Sequence, residues 1–289
     1  MSGASLISVI VTTYDREDAL DAALRALAHQ SDRNFEVVIA DDGSRAETAC
    51  LVESWASRLP VPLKYVRHEH RGFRGGEIRN RGIRASAGEL CIFLDGDCLA
   101  RADFIAMHRH LYEPGWFVAG NRILLSRELT AAVLTQGLAA ETWNFAALSR
   151  RRLTGGVNRL MPAVRLPLGP LRKLYGRDWE GAKTCNLAVA RGDLDRVDGF
   201  DSTYAGWGLE DSDLVVRLLH AGVRRKDGRF ATGVIHLWHA QNDRSQFAAN
   251  WKRLDETIGS SRIWALQGLS ALCADDDSQA RQHSSMANP

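Results

Sequence analysis

A doubly wound α/β fold with a mostly parallel sheet is what this sequence predicts, on three observations. Short β-branched apolar runs alternate with amphipathic helical stretches along the first third of the chain. Polar and acidic residues gather directly after those apolar runs. The 289 residues, 45% hydrophobic and 25% charged, provide a core for one large domain or two small ones. Strands separated by helices pair in parallel, and ligands of such sheets bind beyond the carboxyl ends of the strands.

The elements follow in order. "LISVIVTTY" is a strand, being too short for a buried helix, and "REDALDAALRALAHQ" is a helix with Leu20, Ala23, Leu24 and Leu27 on one face. "NFEVVIADDGS" is a second strand closed by turn residues, and "AETACLVESWASRL" a second helix. "PLKYVRHE" is a third strand, "GEIRNRGIRASAG" a short helix, and "ELCIFLDGD" a fourth strand. Much later, "DLVVRLLHAG" has helical apolar spacing at Leu214, Val215, Leu218 and Leu219, behind the acidic stretch "GWGLEDSD".

Composition excludes several classes. No apolar run reaches the roughly 18 to 20 residues of a membrane span, and "MSGASLISVIVTTYDRED" has no basic stretch ahead of its apolar run, so neither a transmembrane helix nor a signal peptide is expected. The five cysteines are odd in number and lack C-x-x-C spacing, which argues against a disulfide framework or structural zinc and for a reducing cytoplasm. A net charge of +2 is too small to imply nucleic acid. The charge is uneven, however: Asn121 to Trp179 carries ten basic residues against three acidic ones. A membrane leaflet or anionic acceptor at that segment is one reading, the former implying peripheral membrane association; a solvated face is the other.

Candidate site residues cluster at the strand ends: Thr12, Thr13, Tyr14 and Asp15, then Asp41 and Asp42, then Asp95 and Asp97. "LDGD" suits a divalent cation, with Gly96 letting the backbone bend and a polyanion approach. Asp and Glu also favour a first helical turn, which explains the charge of "GWGLEDSD" but not its glycines or Trp207. In "VIHLWH", a spacing of three puts His236 and His239 on one face of a helix but on opposite faces of a strand, so both reach one point only if the segment bends.

Four stretches in order, "SVIVTTYDR", "VVIADDGS", "RGGEIRNRGIRASAGELCIFLDGD" and "GWGLEDSDLVVRL", resemble the inverting, nucleotide-sugar-dependent glycosyltransferases of family 2, which have the GT-A fold. The last also resembles the Gly-Trp-Gly, Glu-Asp motif of β-1,4-galactosyltransferases and bacterial chondroitin polymerases. The resemblance implies that Thr12 and Tyr14 line a nucleobase pocket, that Asp42 accepts from uracil N3, and that Arg79 helps hold the nucleotide. It further implies that Asp95 approaches ribose or metal, that Asp97 binds Mn2+ or Mg2+ at the diphosphate, and that His239, with His236, reaches the same metal. Asp211 is then the general base, Glu210 binds acceptor hydroxyls and raises the pKa of Asp211, and Trp207 moves over the sugar. Substrate hydroxyls and a metal are expected to compensate the acids. Imidazole ligation favours Mn2+ over Mg2+.

The expected organisation is a nucleotide-sugar half (1–120), an acceptor-side and catalytic half made of helices and loops (121–240), a helical extension (241–273) and a disordered tail (274–289). The donor is expected to be a UDP-sugar, and the acceptor a glycan, a lipid-linked or a small molecule. The alternatives are a sugar-nucleotide-binding pseudoenzyme, a nucleotidyltransferase, or a phosphatase using Asp95 and Asp97. The phosphatase needs its acids after the first strand. The nucleotidyltransferase needs a glycine-rich loop there, and "TTYDRED" has none.

Overall fold

The computed structural model describes residues 5–241 and 243–272. The tail at 274–289 and Cys273 lie outside the described residues. The first half alternates as expected: β1 (Ile7–Thr13), α1 (Glu17–Ala28), β2 (Phe35–Asp41), α2 (Ala46–Ala56), β3 (Leu63–Arg67), α3 (Gly75–Ala85) and β4 (Leu90–Asp95). β1 pairs in parallel with both β2 and β4, and β2 with β3. β1, β2 and β4, buried on both faces, have no regular polar alternation, which is why they read as largely apolar runs.

The second half is irregular. It contains β5 (Cys98–Leu99), α4 (Phe104–Leu111), β6 (Trp116–Ala119), β7 (Arg122–Leu124), α5 (Arg127–Gln136) and α6 (Phe145–Leu153). Then come β8 (Asn186–Ala190), α7 (Arg191–Arg196), α8 (Glu210–His220), β9 (Arg224–Asp227), β10 (Val234–His236) and α9 (Phe247–Ile258). β8, β6 and β9 extend the same sheet, whose order is β3-β2-β1-β4-β8-β6-β9. β8 is antiparallel to both of its neighbours, so β6 and β9 run parallel to β4. β5, β10 and β7 form a separate three-stranded sheet.

Two cores sandwich the large sheet. Val9, Val11, Leu24, Ile39, Trp55 and Leu94 pack on one face, beneath α1 and α2. Ile10, Val38, Ile78, Phe93, Val189 and Leu214 pack on the other, beneath α3 and α8. Residues one apart in a strand thus serve opposite layers. Among the described residues no helix is long and apolar enough to cross a membrane.

Candidate active site

Register brings the strand ends to one rim. Thr13 lies opposite Asp41, and Thr12 opposite Asp95. The turn after β4 is drawn against β1: Gly96 N–H donates to Thr12 O at 2.8 Å, and a Cβ at Gly96 would stand 3.1 Å from that oxygen. A side chain there would crowd the close approach of the two backbones.

The same turn is fastened to the histidine segment. His236 pairs with Cys98 across β10 and β5, and Leu237 N–H donates to Asp97 O at 2.9 Å. The chain leaves strand geometry after His236, which is the bend both imidazoles require. His236 Nε2 lies 3.5 Å from Asp97 Oδ1, and His239 Nε2 lies 3.6 Å from Asp97 Oδ2. Burial pushes His236 down in pKa against the pull of Asp97, favouring the neutral imidazole that can ligate a cation. One carboxylate and two imidazoles fit a borderline divalent cation. Cys98, which the sequence reading passed over, brings its sulfur close enough that Asp97, Cys98 and His236 offer donor atoms within 4.8 Å of one another. Burial raises that thiol, and it donates to Asp97 Oδ1 at 3.8 Å.

On the nucleotide side, Tyr14 is 43% exposed and stacks on His70 with ring centroids 4.6 Å apart. Thr12 Oγ1 is buried with no partner, leaving a hydrogen bond to be made. Asp42 is more enclosed than a simple acceptor for a base: its Oδ1 lies 2.6 Å from His68 Nε2, and its Oδ2 accepts from Arg74 N–H at 3.1 Å. Both oxygens already have protein partners.

The acidic motif opens α8. Gly206, Gly208 and Leu209 all have positive φ, so the chain enters the helix through a tight left-handed path. Trp207 stacks on Phe247, ring centroids 6.4 Å apart, with the Arg244 guanidinium over it at 5.0 Å. Each of the three acids has a cation of the protein beside it, a compensation the sequence reading did not foresee. Arg79 Nη1 donates to Glu210 Oε1 at 2.9 Å, and Lys183 Nζ lies 3.5 Å from Asp211 Oδ1. Asp213 is buried between Arg217 at 2.7 Å and Arg262 at 3.1 Å and accepts from Tyr204 and Thr257. Asp213 therefore joins α8 to α9 and stands apart from the rim.

Arg79 Nη2 also lies 3.5 Å from Asp95 Oδ1, so one buried guanidinium spans both acidic motifs. Its Nε and Glu210 Oε2 are buried without partners. Burial first, then the charge of Asp211, pushes the Glu210 carboxyl up. Burial likewise raises Asp95, against Arg79. Asp211 differs: Ser212 N–H and Lys183 meet Oδ1, and no partner is found for Oδ2 among the described residues.

Comparison with known proteins agrees with both sequence resemblances. The family described as "Glycosyl transferase family 2" matches residues 8–157, and the "N-terminal domain of galactosyltransferase" matches residues 173–240. Validoxylamine A glucosyltransferase of Streptomyces hygroscopicus subsp. limoneus is 30% identical over 250 residues, covering 81% of this chain and 52% of that protein. Chondroitin synthase of Pasteurella multocida is 25% identical over 229 residues, covering 75% and 23%. The chain thus spans about half the length, or less, of these curated relatives. Among solved structures, S. aureus TarS 1–349 in complex with UDP superposes with a TM-score of 0.59 at 18% identity, covering 88% of this chain and 64% of that one. The mannosyltransferase of Pyrobaculum calidifontis in complex with GDP-Man and Mn2+ gives 0.56 at 19% identity, covering 88% and 61%. Those likenesses establish a shared GT-A fold. With one family matched across a little over half of its length, the chain belongs to glycosyl transferase family 2.

Proposed function

We propose that this chain transfers a sugar from a nucleoside-diphosphate sugar, with a UDP-sugar as donor, to an acceptor hydroxyl with inversion, using Asp211 as general base. One observation carries the reading. At the start of α8, Glu210 has one oxygen tied to Arg79 and the other fully enclosed, whereas the unpartnered Oδ2 of Asp211 is not fully enclosed. A carboxylate with a free lone pair can take the proton of an attacking hydroxyl; one already locked to a guanidinium is suited to fixing orientation. Lys183 Nζ lies 3.5 Å from the other oxygen of Asp211.

Asp97, His239 and His236 are the residues that hold a divalent cation, Mn2+ ahead of Mg2+ on ligand type. When bound, that ion offsets the charge developing on the departing diphosphate. Thr12 and Tyr14 receive the nucleoside, the first through its unpaired hydroxyl and the second as an exposed aromatic platform. Trp207, on its left-handed path, covers the sugar and excludes water. The D-x-D pair follows β4 rather than β1, which disfavours the phosphatase. The unpartnered oxygen of Asp211 disfavours the pseudoenzyme.

The named relatives and neighbours support these choices unevenly. Neighbours were solved with UDP, UDP-GlcNAc and GDP-Man, two of them with Mn2+. The names of the relatives cover a small-molecule acceptor and a glycan. A lipid-linked acceptor would bring the protein to a membrane surface. The cysteines described as free, Cys50, Cys91, Cys98 and Cys185, support a reducing, cytoplasmic compartment.

The test is release of nucleoside diphosphate from a panel of UDP- and GDP-sugars, with the product anomer read by NMR. Release from a UDP-sugar with inversion supports the reading. Release only from GDP-sugars overturns the donor, and a retained anomer overturns Asp211 as base of a single displacement.

A further inference from the structure

The polarity of residues 166–177 is turned inside out. Arg172, whose charge belongs in water, is buried and donates to the carbonyl oxygens of Asp227 at 2.8 Å, Arg229 at 2.6 Å and Leu166 at 2.9 Å. Lys173 reaches Glu113 at 2.7 Å and lies over the Trp116 ring at 4.6 Å. The apolar side chains of the same helical turn face out: Leu171 is 59% exposed, Leu174 71% and Tyr175 57%. Looseness does not explain this exposure, because Arg172 clamps the turn from below and Arg225 N–H holds Gly176 O at 2.9 Å. Three large apolar groups presented together on a fixed platform mark an interaction surface.

The charges around it identify the partner. Arg177 and Arg224 line the same depression as Trp116, Leu174 and Tyr175, both are exposed, and neither side chain has a partner among the described residues, while the acid lining it, Asp178, lies 3.5 Å from Arg225. Apolar residues for insertion, an aromatic at the interface and unpaired arginines beside them are the combination that binds an anionic bilayer. The position also fits. β6 and β9 run parallel to β4, so Trp116 and Arg224, at their first residues, lie level with the rim opposite Asp95. This part of the basic segment lies at the end of the sheet away from Asp95. Docking here leaves the strand-end rim free.

We infer that Leu171, Leu174 and Tyr175, with Arg177 and Arg224, form a docking surface for an anionic phospholipid membrane. This does not depend on the sugar-transfer reading, and its test needs no substrate. The protein is co-sedimented with vesicles of phosphatidylcholine alone and of phosphatidylcholine with phosphatidylglycerol, at low and high salt. Binding to the anionic vesicles only, weakened by salt, is expected. A Leu171→Ser, Leu174→Ser, Tyr175→Ser variant and an Arg177→Ser, Arg224→Ser variant should each lose about tenfold or more in partitioning. Unchanged far-ultraviolet circular dichroism and unfolding midpoint show that each variant is folded. Negligible wild-type binding, equal binding to both vesicles, or folded variants that bind as well as wild type overturn the proposal. So does a wild type that is dimeric in solution, binds no vesicles, and becomes monomeric in the leucine and tyrosine variant, since the surface then belongs to a second copy.

Discussion

Arg79 Nη1 donates to Glu210 Oε1 at 2.9 Å across 131 residues of sequence, and the same guanidinium lies 3.5 Å from Asp95. α3 therefore joins the end of β4 to the start of α8. The sequence resemblance implied a nucleotide-holding arginine; the geometry supports a buried link between the donor-side acids and the acid pair at α8.

Removing that link has a predictable cost. Arg79→Gln leaves Glu210 buried without its cation, a change that costs about 3–5 kcal/mol for a typical buried pair. Because burial already raises the Glu210 carboxyl, protonation can relieve the charge, which places the loss at the lower end of that range and makes it smaller at acid pH. Glu210→Gln combined with Arg79→Gln should lose less than the two single losses added. Urea unfolding of the four proteins measures this, and strictly additive losses would contradict the pairing.

Asp211→Asn keeps the shape of the side chain and removes its basicity. Turnover should fall about a hundredfold or more while nucleotide binding is retained, since nothing on the nucleotide side touches Asp211. Steady-state rates and calorimetric titration with the nucleoside diphosphate separate the two effects. If the variant turns over at nearly the wild-type rate and Glu210→Gln does not, the base is Glu210.

What could be read in the sequence had local periodicity. β1, β2 and β4 are largely apolar runs, and the acids after them could be assigned to one rim because parallel strands share a direction. β5, β7 and β10 have two or three residues each, too few for any period, so the small sheet that carries Cys98 and His236 left no trace. Ion-pair partners were hidden for another reason. Arg217 stands four residues after Asp213 and was open to inference from helical spacing, whereas Arg79, Lys183 and Arg262 reach their acids only through tertiary packing. His68 beside Asp42 was missed for the same reason.

Chelation should abolish turnover, and Mn2+ should restore it more fully than Mg2+. Removing one imidazole by His239→Ala should narrow that difference, because what remains is richer in oxygen. Mn2+ binding followed by electron paramagnetic resonance gives a readout independent of activity. Full turnover in excess chelator would remove the cation from the scheme.

The last prediction concerns pH and the nucleotide pocket. His68 is buried between Asp42 Oδ1 at 2.6 Å and Glu77 Oε1 at 3.3 Å, and Arg74 faces the same cluster. Burial, the largest influence, disfavours its charge, but the hydrogen bond to Asp42 and the nearby Glu77 carboxylate outweigh it and raise the imidazole pKa above 6.5. The stability it contributes is complete below 6.5 and is lost as pH rises through the higher folded value. Glu77 is held at about 2, chiefly by His68 at 3.3 Å, against an ordinary 4.5. Its contribution is complete above 4.5 and is lost as pH falls toward 2. Together they support the folded state best between about 4.5 and 6.5, with a decline on the alkaline side that belongs to His68. In His68→Gln that alkaline decline should flatten, while the acid limb becomes shallower because Glu77 has lost its charged partner. Unfolding midpoints measured from pH 4 to 9 decide the matter (~half-unit steps suffice to locate a one-proton transition): an unchanged slope above pH 6.5 in the variant would show that His68 carries no proton there. Since His68 also fixes Asp42, the variant that flattens the slope should weaken nucleoside diphosphate binding, whereas a stability effect with intact binding would place Asp42 outside the pocket.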